Sequence, residues 1–103
     1  MTAQINAILH TVARYYGVKR EAIVSERRSK TLIRPRHVAI YLIRTLTPHS
    51  SPEIAEAFNR DHTVVLYAVR KIEARMQSDG MLKADIDLLS AKCASRVQLR
   101  RVA

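Results

Sequence analysis

Two helix starts crowd into one short stretch, residues 51 to 72, "SPEIAEAFNRDHTVVLYAVRKI". Ser51, Pro52 and Glu53 offer a hydroxyl cap, a proline whose missing N–H costs nothing at a helix start, and an acid in the first turn. Asp61 offers a second cap. Behind it, Val65, Ala68, Val69, Ile72 and Met76 recur at the helical period. Asn59, which tolerates positive φ, stands between the two. The spacing predicts a short helix over Pro52 to Phe58, a turn at Asn59, and a longer helix capped by Asp61. Two helices so joined must cross closely. Ala55 is small where the crossing falls, Ile54 and Phe58 face inward, and Val65 locks the angle. This is the pattern of a helix-turn-helix, though αα corners elsewhere share it.

The remainder of the chain fits around that corner. Ile5, Ile8, Leu9, Val12 and Tyr16 predict a first helix, with Gly17 placed for a left-handed cap. A short turn of helix follows over Arg20 to Val24. The stretch "SERRSKTLIRPR" matches neither period and reads as a basic loop. Pro35 suits the first position of the next helix, whose stripe is Ala39, Leu42, Ile43 and Leu46. After a break at Ser78, Asp79 and Gly80, a last amphipathic segment carries Leu82, Ile86, Leu89, Cys93 and Val97. Two glycines and three prolines in 103 residues are too few for the turns of an all-β fold. The expectation is an all-α, compact helical domain with a helix-turn-helix, preceded by a basic loop and followed by a C-terminal amphipathic helix. Residues 1–78 form the main unit, and 79–103 the helix and its basic tail.

Charge narrows the function. The formal net charge is +9, and it is uneven. Between residues 14 and 44, Arg14, Lys19, Arg20, Arg27, Arg28, Lys30, Arg34, Arg36 and Arg44 face only Glu21 and Glu26. Such a local excess suits a polyanion. A membrane surface fits less well, because the cations cluster in a loop and not along one helix face. No apolar run is long enough to cross a bilayer, and the amino-terminal stretch has no signal-peptide pattern. The single cysteine, Cys93, makes no intrachain disulfide and fits a reducing cytosol. A cytoplasmic, nucleoid-associated protein is expected. His10, His37, His49 and His62 show no metal-ligand spacing, and adjacent Asp61 and His62 do not form a triad. Neither catalysis nor a metal, a cofactor or a small-molecule substrate is indicated.

Asp61 admits two readings. It can simply cap its helix. Alternatively the amino end of that helix enters a major groove, where a carboxylate accepts from a cytosine amino group, His62 meets a base edge or phosphate, and the Thr63 methyl touches a thymine methyl. An acid beside phosphates does not help non-specific binding, so its presence favours sequence reading.

The order "RRSKTLIRPRHVAIYLIRTLTPHSSPEIAEAFNRDHTVVLYAVRKIE" resembles the C-terminal DNA-binding domain, domain IV, of the bacterial replication initiator family DnaA, from about Ile5 to Glu73. Its markers are the paired arginines, Arg-Pro-Arg, Ser-x-Pro-Glu-Ile, Phe, Arg-Asp-His-Thr, Val-Leu and Arg-Lys-Ile. The resemblance implies a Trp-repressor-like helix-turn-helix that binds double-stranded DNA at short DnaA boxes. It assigns minor-groove insertion to Arg28, flanked by Arg27 and Lys30, and base reading to Asp61, His62 and Thr63. Backbone and flanking contacts fall on Arg36, His37, Arg44, Thr47, Ser51, Pro52 and Arg60. Val64 and Tyr67 stand where the family has a threonine and a histidine that face DNA. Asn59 replaces a Gly-Gly pair, making the turn one residue shorter, and Ser51 replaces a leucine. The 103 residues contain no phosphate-cradling G-x-x-x-x-G-K-[ST] loop. The implied protein is a regulator of transcription or replication without ATPase activity. The competing expectation is a helical interaction adaptor, with the segment after Gly80 packed on the core or forming a homodimer seam.

Overall fold

The computed structural model describes residues 2–97, with side chains through residue 95. The side chain of Val97, expected to face inward, and the basic tail after residue 97 lie outside what is described. Six helices are found among the described residues and no strand: α1 Ala3–Tyr16, α2 Arg20–Val24, α3 Lys30–Leu46, α4 Ser51–Ala57, α5 His62–Met76 and α6 Gly80–Val97.

Local chemistry sets most boundaries. Thr2 caps α1 by accepting from the Ile5 N–H, and Gly17 closes it at φ 69°. Helix α3 begins at Lys30, not at Pro35. Ser29 caps it, its hydroxyl accepting from the Thr31 N–H at 3.3 Å, and Leu32 is buried one turn in. Pro35 therefore lies inside the helix, and its missing N–H leaves the Thr31 carbonyl without the usual partner. The Ser29 cap and the burial of Leu32 offset that loss. Lys30 thus moves from the loop to the first turn of α3.

The cap of α4 is also displaced by one residue. Ser50, not Ser51, accepts from the Glu53 N–H at 3.3 Å, while Glu53 Oε1 accepts from the Ser50 N–H at 2.8 Å. This reciprocal capping box puts Ser51 and Pro52 at the first two helical positions. Asp61 caps α5 as expected, and Asp79 accepts from the Leu82 N–H at 3.0 Å where α6 starts.

These carboxylates predict an acid response. The Ser50 backbone N–H holds Glu53 below its usual range; the Thr63 N–H does the same for Asp61, and the Leu82 N–H with Arg34 for Asp79. A carboxylate depressed in the fold stabilises it above its unfolded-chain value, and that contribution is lost as pH falls through the folded one. Thermal unfolding followed by circular dichroism should show a plateau above about pH 5 and a falling midpoint below about pH 4. Glu53→Gln keeps the capping geometry without the titration, so its midpoint should fall less.

Helix α3 is central: α1, α2, α4, α5 and α6 all pack against it. Val38, Ala39, Ile40, Leu42 and Ile43 supply its buried positions. Helix α6 also lies against α1. Its stripe of Leu82, Ile86, Leu89 and Cys93 is buried in the same core as Ile8, Leu9 and Val12. Two tyrosines secure the seam: Tyr15 Oη donates to Asp85 Oδ1 at 2.5 Å and Tyr16 Oη to Asp85 Oδ2 at 3.2 Å. The Arg34–Asp79 ion pair at 2.9 Å ties the start of α6 to α3. The four described positions of the stripe expected to pack on the core or form a homodimer seam are buried within this chain.

Candidate nucleic-acid interface

The corner between α4 and α5 turns on one residue. Asn59 adopts φ 52°, the left-handed conformation that its short amide side chain tolerates. The Arg60 N–H then closes onto the Ala55 carbonyl at 2.9 Å, and the Asn59 N–H onto Glu56 at 3.0 Å. Ile54, Ala55, Phe58 and Val65 are buried beneath the turn, so the crossing is packed as the residue sizes predict. It aims Asp61, His62 and Thr63 outward; all three are exposed. Asp61 Oδ1 accepts from the Thr63 N–H at 3.1 Å and lies 3.2 Å from His62 Nδ1. Both contacts fall on the same oxygen, leaving Oδ2 outside them.

The basic loop is bound to this corner. Arg60 Nη2 donates to the Ser25 carbonyl at 2.8 Å, and Asn59 Nδ2 to Glu26 Oε2 at 3.4 Å. The two residues immediately before Asp61 thus hold the segment that carries Arg27 and Arg28, both exposed. The structure ties the two residues before Arg27 and Arg28 to the two residues before the exposed Asp61 tip. Sequence spacing alone could not have joined them, because the shorter of the two bridging contacts runs to a backbone carbonyl.

Two assigned residues are placed otherwise than the resemblance implies. Arg36 is only 6% exposed, and its guanidinium donates to the carbonyls of Ile23, Arg27 and Ala22 at 2.7, 2.8 and 3.1 Å. It is a buried tie, not an outward arm. Thr47 is buried too: its hydroxyl donates to the Ile43 carbonyl at 2.7 Å and accepts from the His49 N–H at 3.3 Å. Arg44 and Pro52 are exposed and Ser51 half-buried, around the α3–α4 junction.

His37 and Tyr67 meet across α3 and α5, ring edge to ring face, with centroids 5.8 Å apart. Lys71 Nζ donates to Tyr67 Oη at 3.2 Å and lies 5.5 Å from the ring centroid. Burial, then the charges of Lys71 and Arg36, push the His37 imidazole below its usual range. Lys71 was not among the sequence candidates, though its spacing of one helical turn from Tyr67 was the available signal. Val64 is half-buried and Tyr67 exposed. No group of three or more metal-ligating side chains occurs among the described residues. None of the helices described is long and apolar enough to cross a membrane.

Residues 5–72 match the family described as the bacterial DnaA protein helix-turn-helix. The chain belongs to that family. It is 48% identical over 87 residues to the chromosomal replication initiator protein DnaA of Rhizobium meliloti (strain 1021), covering 84% of this chain and 18% of that protein. The DnaA of Agrobacterium fabrum (strain C58 / ATCC 33970) is 47% identical with the same coverage. The chain therefore corresponds to the C-terminal helix-turn-helix domain and spans under a fifth of its DnaA relatives. Among solved structures, a DNA replication initiation factor superposes with a TM-score of 0.82 at 35% identity, covering 91% of this chain and 29% of that one. A replication initiator DnaA bound to AMPPCP and single-stranded DNA gives 0.80 at 33%, covering 91% and 28%. Asn59 is the one left-handed residue of the turn between α4 and α5, a conformation that otherwise favours glycine. Helix α6 extends beyond the residues matched to the DnaA family description, yet contributes four buried side chains to the core.

Proposed function

We propose that this DnaA domain binds double-stranded DNA sequence-specifically at DnaA-box-like sites and thereby regulates replication or transcription. The observation that carries this reading is the tie from Arg60 to Ser25, which keeps the exposed Asp61–His62–Thr63 tip beside the exposed Arg27–Arg28 segment. With the amino end of α5 in the major groove, Asp61 Oδ2 accepts from a cytosine amino group and the Thr63 methyl contacts a thymine methyl. His62 bonds a base edge or a phosphate. Arg28 then reaches the adjacent minor groove, where A·T-rich sequence concentrates negative potential. Lys30, His37, Arg44, Ser51, Pro52 and Arg60 flank the path of the backbone, and Val64 and Tyr67 sit along α5 where contacts to the groove wall fall. Lys71, beside Tyr67 and His37 on this face, adds a cation along that path.

The test is titration of a labelled duplex carrying a DnaA box beside a scrambled duplex, at several salt concentrations. The box should bind at least about a thousandfold more tightly. Log affinity should fall linearly with log salt, by a slope of about 0.9 per phosphate neutralised. Equal affinities would remove specificity, and a flat salt response would remove phosphate contact.

A further inference from the structure

Arg36 is an expensive way to finish a short helix. Helix α2 has only five residues, so its last carbonyls lack the usual intrahelical donors. Ser25 meets one of them, its hydroxyl donating to the Ala22 carbonyl at 2.7 Å and its N–H at 3.2 Å. A guanidinium is nevertheless buried there, with no carboxylate partner among the described ion pairs, and it donates to Ala22, Ile23 and Arg27. Arg60 adds a bond to Ser25 from the other side. Burial first, and the charge of Arg60 second, work against protonated Arg36. Arg60 Nε is itself buried without a hydrogen-bond partner. Two like charges are thus held together by carbonyls alone. Those carbonyls belong to the segment that leads into Arg27 and Arg28, and a planar fork with five donors in fixed geometry defines its course as no single point charge could.

We propose that Arg36, with Arg60 as its second arm, is a positioning residue: it fixes the basic segment relative to the α5 tip and does not itself touch DNA. This rests on the duplex-reading function. It predicts that removing the fork releases the loop first and weakens binding only through the loop.

The experiment uses the full chain as Arg36→Met and Arg36→Lys, alone and with Arg28→Ala. Amide hydrogen exchange without DNA is the first readout. Residues 22 to 29 should exchange at least about tenfold faster in Arg36→Met, with α3 and α5 protection retained. Unchanged exchange in that segment overturns the proposal whatever DNA does. Affinity for an A·T-flanked box duplex is the second. Arg36→Met should weaken it at least about tenfold, but less than about twofold once Arg28 is already alanine, with an unchanged salt slope in that background. A further loss there, with the slope shallower by about 0.9, marks a direct phosphate contact and overturns it. Arg36→Lys keeps a cation but not the fork, so it should lose at least about fivefold; affinity within about twofold of the native chain also overturns the proposal. It supplies the same decision should Arg36→Met not fold. If the native chain fails to separate box from scrambled duplex, the DNA-reading function fails, and loop exchange still decides whether Arg36 is a tie.

Discussion

Phe58→Ala should lower the unfolding free energy by about 3–5 kcal/mol, the range for removing a buried aromatic ring from a packed core. Phe58 is 1% exposed and forms the C-cap of α4, directly before the left-handed residue. Ile54, Val65 and Ala68 belong to the same buried cluster, so the ring fills the space under the corner. The neighbours cannot readily collapse into the void, since they are fixed by two helices crossing at the short turn over residues 58–61. Small domains have about 5–15 kcal/mol in total, which makes this loss a large share of the whole. Urea denaturation followed by far-ultraviolet circular dichroism measures it. Leu66, on the same helix but 37% exposed, is the contrast: Leu66→Ala should change stability by less than about 1 kcal/mol. A comparable loss at both positions would mean that the corner is not held by Phe58.

Asp61 should separate into two effects when replaced two ways. Asp61→Ala removes the cap on the Thr63 N–H, lowering stability by about 0.5–2 kcal/mol, and removes the acceptor offered to a base, relaxing base preference by about 1–3 kcal/mol. Asp61→Asn caps as well as aspartate does, so stability should stay within about 0.5 kcal/mol. Its amide, however, presents donors where the carboxylate presents only acceptors. Preference at the contacted base pair should therefore fall or change although the helix is intact. Denaturation curves paired with titrations against duplexes substituted one base pair at a time distinguish the effects. If both variants keep the native preference, capping is the whole role of Asp61.

Elements with a clean period were legible. Helices α1, α5 and α6 announce their buried positions through Ile5, Ile8 and Leu9, through Val65, Ala68 and Ile72, and through Leu82, Ile86 and Leu89. Gly17 and Asn59 announce the two left-handed positions, because few other residues suit them. The start of α3 was hidden. Leu32 is its lone buried apolar residue before Pro35, while Ile33 faces solvent, so no stripe appears there. Ser51 obscured Ser50 because two adjacent hydroxyls offer equal caps, and only the register of Glu53 decides between them. At the site, the outward tip could be read from its cap and turn, whereas the burial of Arg36 could not. Its partners are backbone carbonyls, which every residue possesses and no composition reveals. The same holds for Arg60 on Ser25. A resemblance transfers residue types by position, and an arginine that grips its own chain looks in sequence like one that reaches for phosphate.

The seam where Tyr15 and Tyr16 meet Asp85 joins residues 70 and 69 positions apart in sequence. Translation delivers α1 first and α6 last, so the face of α1 that meets α6 stays uncovered until the whole span between them has left the ribosome. Loop closure over that distance is entropically late, and contacts of large sequence separation slow folding. The α4–α5 corner, built from neighbours in sequence, therefore has every opportunity to form while the molecule is still open at its back.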